Sequence, residues 1–177
     1  MTPAFMDERK RTFLNAEGAD KPLKSPVPHE TLVKARRYRI SRIRQLLAEH
    51  DCAAALLYDP VNIRYAFDCS NMQVWTMHNP IRYALIFTSG PGIMFEFKSC
   101  EHLCDGLDAI DEVRTAIGWM YMGAGDRVAE YVAKWADEIA SLMREHGGGN
   151  CRLAVDRMEP EGVHALGERG ITIVEGG

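Results

Sequence analysis

The chain of 177 residues is 46% apolar and 26% charged, the proportions of an ordinary globular protein, which excludes disorder along most of its length. Its 21 Lys and Arg fall short of its 25 Asp and Glu, and the net charge of −4 opposes a general nucleic-acid footprint, which needs a basic surplus. The longest apolar runs, Ala53–Tyr58 and Ala84–Phe87, stop far short of the ~18 residues of a membrane-spanning helix, so a membrane is excluded as a partner.

In chain order, residues 1–30 read as a polar arm. Gly18, Pro22, Pro26 and Pro28 impose extended, irregular backbone there, with Phe13 and Leu14 as the apolar side chains able to pin it to a surface. The N-terminal residues lack the apolar region of a secretory signal, and five cysteines at irregular positions (Cys52, Cys69, Cys100, Cys104, Cys151) do not form a disulfide framework. Reduced thiols and a cytoplasmic location are expected.

From Thr31 the pattern becomes helical. Leu32, Ile40, Ile43 and Leu47 share one face and Leu46 flanks it, while Lys34, Arg37, Arg42 and Arg44 lie mostly opposite. Arg36 falls inside the apolar arc and calls for a snorkelled stem or a charge partner from another element. The basic run reads as a solvated face, because the chain is acidic and shows no pattern of stacking aromatics.

Ala53–Tyr58 reads as a buried strand covered on both faces, ending at Asp59-Pro60. A short helix follows over Val61–Phe67 with Pro60 in its first turn, then a loop over Ser70–Pro80. Arg82–Ser89 and Ile93–Phe97 form an antiparallel hairpin around Gly90-Pro91-Gly92. Cys100–Leu107 reads as one or two helical turns and Glu112–Ala116 as a strand. Asp126 is placed as the cap of the clearest helix, in which Val128, Val132, Trp135, Ile139 and Met143 recur at helical spacing until Gly147. A strand over Cys151–Val155, a helix over Pro160–Leu166 and a strand over Ile171–Val174 complete the pattern. The fold class is therefore α/β: a mixed sheet flanked by helices on both faces.

Chemistry is harder to find. Cys100-Glu101-His102-Leu103-Cys104 carries ligand types, but on a helix His102 points away from both cysteines and no second pair completes four ligands for zinc. Gly123-Ala124-Gly125 lacks the remainder of either phosphate-binding fingerprint, and Gly147-Gly148-Gly149 follows a helix as a stop signal. No serine or histidine has a local partner that would mark an activated nucleophile.

One stretch carries more. Asp51–Tyr65, with its acidic turn, apolar strand and Asn62-Ile63-Arg64-Tyr65, resembles the N-terminal domain of the creatinase/prolidase/aminopeptidase P family, and the hairpin Arg82–Phe97 follows in the family's order. The usual glycine after that motif is replaced around Asp68-Cys69. The polar arm and Arg64-Tyr65-Ala66-Phe67-Asp68 look most like the dimethylsulfoniopropionate lyase branch, with Xaa-Pro dipeptidase as the alternative.

The resemblance covers residues 31–177 and implies a ribonuclease-H-like α/β motif. It also implies a two-domain parent whose C-terminal pita-bread domain binds two divalent metal ions through two Asp, one His and two Glu. None of those motifs is in this sequence. The chain ends directly after a strand, as at a cut in a linker, so this is read as a non-catalytic N-terminal domain with no cofactor and no catalytic residue of its own. A free-standing binding or regulatory module is the third reading. In the resembled family the segment after the Asn-Ile-x-Tyr motif approaches the partner's active site within a homodimer. That implies a substrate-proximal role in trans for Trp75, His78 and Arg82, with Trp75 on a sulfonium or prolyl group and Arg82 on a carboxylate. The plainer alternative is a surface loop with Trp75 covering the sheet.

Overall fold

The computed structural model describes residues 27–176. The arm read over residues 1–30, with Phe13 and Leu14, thus falls outside the described residues as far as residue 26.

Helix α1 (His29–Glu49) leads into strand β1 (Ala54–Leu57), helix α2 (Pro60–Phe67) and the short helix α3 (Gln73–His78). The hairpin β2 (Tyr83–Phe87) and β3 (Gly92–Glu96) follows, then a 3-10 turn at Glu101–Cys104 and strand β4 (Glu112–Thr115). A single-turn helix α4 (Tyr121–Ala124) precedes the long helix α5 (Val128–His146), strand β5 (Arg152–Val155), helix α6 (Pro160–Gly167) and strand β6 (Thr172–Glu175).

The six strands form one sheet in the order β4-β3-β2-β1-β5-β6. β2 pairs antiparallel with β1 and β3, while β1–β5, β3–β4 and β5–β6 are parallel. The continuous apolar runs of the sequence occupy the middle of this sheet, where both faces are covered. Alternation sorts them: Ala54, Leu56, Tyr83, Leu85, Phe87, Ile93 and Phe95 join the core beneath α5 and α6. Ala55, Leu57, Ala84, Ile86 and Met94 join the opposite core with Ile40 and Leu47 of α1 and Ile63, Ala66 and Phe67 of α2. Gly92 makes room for that second core, because a Cβ there would stand 2.9 Å from the Phe67 ring.

The ends of the elements follow from local chemistry. Asp59 caps α2 through its carboxylate, which accepts from Val61 N at 2.7 Å and Asn62 N at 3.4 Å, and Pro60 opens the helix. Asp156, after β5, accepts from Tyr58 N (2.8 Å), Asp59 N (3.1 Å) and Asn62 Nδ2 (3.0 Å), which fixes the β1–α2 junction to the end of the neighbouring strand. Arg44 of α1 donates to the carbonyls of Phe87 and Gly90 and so holds the hairpin turn. Two local readings need correction. Asp126 lies in a 3-10 turn (Gly125–Arg127) and caps nothing; α5 begins one residue after Arg127, whose guanidinium instead meets Glu130 at 2.8 Å. The stretch read as a loop over Ser70–Pro80 contains α3.

Candidate functional site

Two features dominate the segment between α2 and β2: a buried ionic cluster beneath it and a group of exposed apolar side chains on it.

The cluster begins with a consequence of register. Tyr83 pairs with Phe95, so the residues one step further out, Arg82 and Glu96, face each other across β2 and β3. Both side chains are completely buried, and Arg82 Nε donates to Glu96 Oε2 at 2.6 Å. Glu96 Oε1 accepts from Asn71 Nδ2 (3.0 Å) and from Phe97 N (2.9 Å). Arg82 Nη2 donates to Cys69 Sγ at 2.9 Å, and Arg82 Nη1 has no hydrogen-bond partner. Burial opposes the Arg82 charge, and the facing Cys69 and Glu96 more than offset it, holding the guanidinium above its usual range. A hydrogen bond from Cys104 and then the Arg82 charge bring the Cys69 thiol down to about 7 against the effect of burial. Cys104 moves the other way, pushed well up by its hydrogen bond to Cys69 and by burial.

Asp68, next to Cys69, ends α2 in a left-handed conformation (φ 57°), its N–H on Arg64 O. Arg36 supplies its partner: Nε donates to Asp68 Oδ2 at 3.0 Å and Nη1 to Asp108 Oδ1 at 3.2 Å. The arginine inside the apolar arc of α1 thus carries charge partners from two other segments, as its position required.

Above the cluster, α3 is held by its single buried residue. Thr76 Oγ1 lies 3.2 Å from the Met72 and Gln73 carbonyls, Asn79 Nδ2 donates to Trp75 O, and Arg157 Nη1 donates to Met77 O. The apolar side chains of α3 are exposed, Val74 77%, Trp75 37% and Met77 43%, and Met72 at its N-terminal cap is 55% exposed. The Trp75 ring meets Phe97 edge-on at 5.7 Å, and His78 is exposed.

Of the three side chains expected near a substrate, Trp75 and His78 share this exposed helix. Arg82 does not. Its side chain is fully buried in an ion pair with Glu96 rather than exposed on that helix. Glu96 went unnoticed in the sequence, and Cys69 was read only as a free thiol and as part of the departure at Asp68-Cys69. Glu96 was reachable by counting the hairpin register outward from its turn, whereas nothing in the local pattern pairs Cys69 with Arg82.

Among the described residues no group of three or more His, Cys, Asp and Glu could hold a metal ion. No helix of the described residues is long and apolar enough to cross a membrane.

No family model matches the chain. Its sequence is 37% identical over 145 residues to the dimethylsulfoniopropionate lyase DddP of Roseovarius nubinhibens and 35% identical to that of Roseobacter denitrificans. Each match takes 82% of this chain and 32% of the lyase, so the chain spans about a third of the length of these relatives. Among solved structures, an Xaa-Pro aminopeptidase of Streptococcus pyogenes matches with a TM-score of 0.53 at 13% identity, over 80% of this chain and 92% of that one. The N-terminal domain of an Xaa-Pro dipeptidase of Lactobacillus brevis gives 0.53 at 14% identity, over 76% and 89%. An Xaa-Pro dipeptidase of Bacillus anthracis gives 0.54 at 16% identity, over 79% of this chain and 33% of that chain. These likenesses establish the fold, the one carried by the N-terminal domain of such peptidases.

Proposed function

We propose, from the premise that this chain is a creatinase/prolidase-type N-terminal domain similar in sequence to dimethylsulfoniopropionate lyases, that it serves a larger metal-dependent enzyme as its non-catalytic N-terminal part. In a cytoplasmic homodimer of that enzyme, α3 lies against the partner's active site. The observation that carries this reading is the exposure of Val74, Trp75 and Met77 on one short helix and of Met72 at its cap, the helix being held by Thr76 and Arg157. Soluble surfaces scatter single apolar side chains, whereas a contiguous group marks a contact or a ligand wall. The two divalent ions belong to the catalytic part of that enzyme.

A sulfonium substrate favours Trp75. The indole face attracts a cation that is weakly hydrated, and such contacts are worth ~0.5–2 kcal/mol. His78 stands at the end of the same helix and can donate to the substrate or to the partner. The substrate carboxylate must be met by groups other than Arg82. The lyase reading is preferred over an Xaa-Pro peptidase because the identity to the lyases is 37% against 13–16% to the peptidases.

The test uses the full-length enzyme. Trp75→Ala should leave folding intact and lower kcat/KM for dimethylsulfoniopropionate by about 3- to 30-fold, the equivalent of the cation–π contact. Mixing the Trp75→Ala subunit with a metal-site mutant should restore activity if α3 acts across the dimer. Full activity in Trp75→Ala and in Trp75→Ala/His78→Ala would reduce α3 to a surface element. Turnover of Xaa-Pro dipeptides in place of the sulfonium would establish the peptidase alternative.

A further inference from the structure

Three buried polar groups in the core beneath α5 have no hydrogen-bond partner among the described residues: the Tyr58 hydroxyl, Trp119 Nε1 and Trp135 Nε1. Tyr58 is 2%, Trp119 7% and Trp135 0% exposed, so bulk solvent does not satisfy them from outside. The two indole rings lie 5.6 Å apart. Tyr58 and Trp119 also line one small cavity, whose other walls are Pro80, Arg157, Met158 and Glu159. Gly162 makes room for this arrangement, because a Cβ there would stand 3.1 Å from the Trp119 ring. Native cores leave few buried polar groups unpaired, and each one is expensive. Three of them on neighbouring aromatic residues, two lining the same cavity, call for an acceptor in that cavity.

The chemistry of these groups selects the ligand. An indole N–H only donates, and it lies on the positive edge of its ring. Burial pushes the Tyr58 phenol well above its usual range, the two indoles opposing that rise, so the hydroxyl keeps a proton to give. Such a set attracts an acceptor and disfavours a cation. The cavity measures about 10 Å³, room for one water-sized particle, which is too small for a carboxylate, a sulfate or a phosphate. A monatomic anion and water are the occupants that fit. Charge favours the anion. Half-buried Arg157 brings a guanidinium to the wall and has no carboxylate partner among the described residues, its Nη1 going to Met77 O. Glu159 brings the opposite sign, but it is exposed, where solvent and salt screen its charge.

We propose that the cavity between Tyr58, Trp119 and residues 157–159 binds a halide ion, held by the Tyr58 hydroxyl and the Trp119 N–H, with Trp135 as the neighbouring donor and Arg157 as the compensating charge. Chloride, bromide and iodide shed their water more readily than fluoride, so a site this dry takes the first three and rejects the last. Binding makes and breaks no covalent bond. Because Arg157 also donates to Met77 O in α3, an ion held beside its guanidinium ties the 157–159 segment to that helix. The site stands whether or not α3 meets a substrate.

The test uses the 177-residue chain in potassium gluconate, titrated with potassium bromide at constant ionic strength while tryptophan fluorescence is followed. Of the three tryptophans, exposed Trp75 is quenched by collision in proportion to bromide, and Trp75→Phe removes that background. In Trp75→Phe a saturable loss of fluorescence is expected, reversed by chloride and not by fluoride. Adding Tyr58→Phe, which keeps the ring, should weaken bromide binding about tenfold or more, the equivalent of one hydrogen bond to an ion. Arg157→Gln lies at the half-buried wall and serves where Tyr58→Phe fails to fold by circular dichroism. The chloride NMR line, broadened by the wild type and sharpened again by added iodide, should stay narrow with Arg157→Gln. Quenching without saturation, together with a chloride line that the wild type leaves narrow, is the result for a cavity that takes water only, and it overturns the proposal. It is equally overturned if bromide saturates with the same affinity in folded Tyr58→Phe and in Arg157→Gln.

Discussion

At the scale of single residues, most of what distinguishes this domain is concentrated on one guanidinium. Arg82 sits where the hairpin leaves the core, and its burial is tolerated because Glu96 and Cys69 both face it. That arrangement makes a titration visible. The groups facing Cys69 are Arg82 from the edge of β2, Glu96 from β3 and Cys104 from the 3-10 turn, of which Glu96 alone disfavours the thiolate by its charge. The net effect holds Cys69 near 7, below the ~8.5 of an unperturbed thiol. Its ionisation therefore stabilises the fold fully above pH ~8.5, and this contribution is lost as pH falls through about 7. Thiolate absorbance near 240 nm should rise with a midpoint near pH 7, and that transition should vanish in Cys69→Ser. A single transition above pH 8 in the wild type would show that Arg82 does not act on the sulfur. Sequence alone exposed half of this site. Arg82 was visible as the first residue of a strand, but its direction was not, because whether a strand-opening arginine turns outward or folds over the sheet edge depends on the residue across the ladder.

At the scale of elements, periodicity did well where packing enforces it and badly where chain ends and short turns decide. In α5, Val132, Trp135, Ile139 and Met143 are buried as their spacing required, Val128 at its start is only partly so, and Trp135 is wholly inaccessible. Trp135→Ala should cost ~3–5 kcal/mol in denaturant unfolding, the range for deleting a large core aromatic. A cost below about 1 kcal/mol would mean that the core under α5 collapses to fill the space. The start of the same helix shows the opposite lesson. Asp126 has the right type for a cap and the right place in the sequence, yet the chain inserts a 3-10 turn and begins α5 behind Arg127. Asp126→Ala should then change stability by less than ~0.5 kcal/mol, whereas a genuine cap would cost ~1 kcal/mol. Helix α3 escaped for a related reason. At six residues it is too short to show a repeat, and it is held by Thr76 bonding back to the Met72 and Gln73 carbonyls, contacts invisible to a pattern of apolar positions.

At the scale of the whole sheet, the unbroken apolar runs announced that β1, β2 and β3 would be covered on both sides, and every residue of those strands is buried. The strand order could not be read the same way. Nothing in the periodicity says that β5, nearly a hundred residues on, returns to lie beside β1; that follows from the crossover through α5 and from Asp156, which joins the ends of the two strands. Burial also falls off toward the margins, with β4 and β6 only half covered along their length. Stability should be distributed accordingly, because amides open locally where few apolar contacts hold a strand and only globally where many do. Native-state hydrogen exchange can compare amides that are all bonded inward. Ala53 N on Arg152 O and Thr88 N on Ala53 O belong to the centre, and Thr172 N on Cys151 O and Gly176 N on Val155 O belong to β6. The first pair should exchange only with global unfolding and follow the denaturant dependence of the whole domain. The second pair should exchange faster and with little denaturant dependence, as fraying of an edge. Equal protection of both pairs would mean that β6 is locked by contacts beyond the half-covered face seen here, and that the sheet opens as one unit from edge to edge.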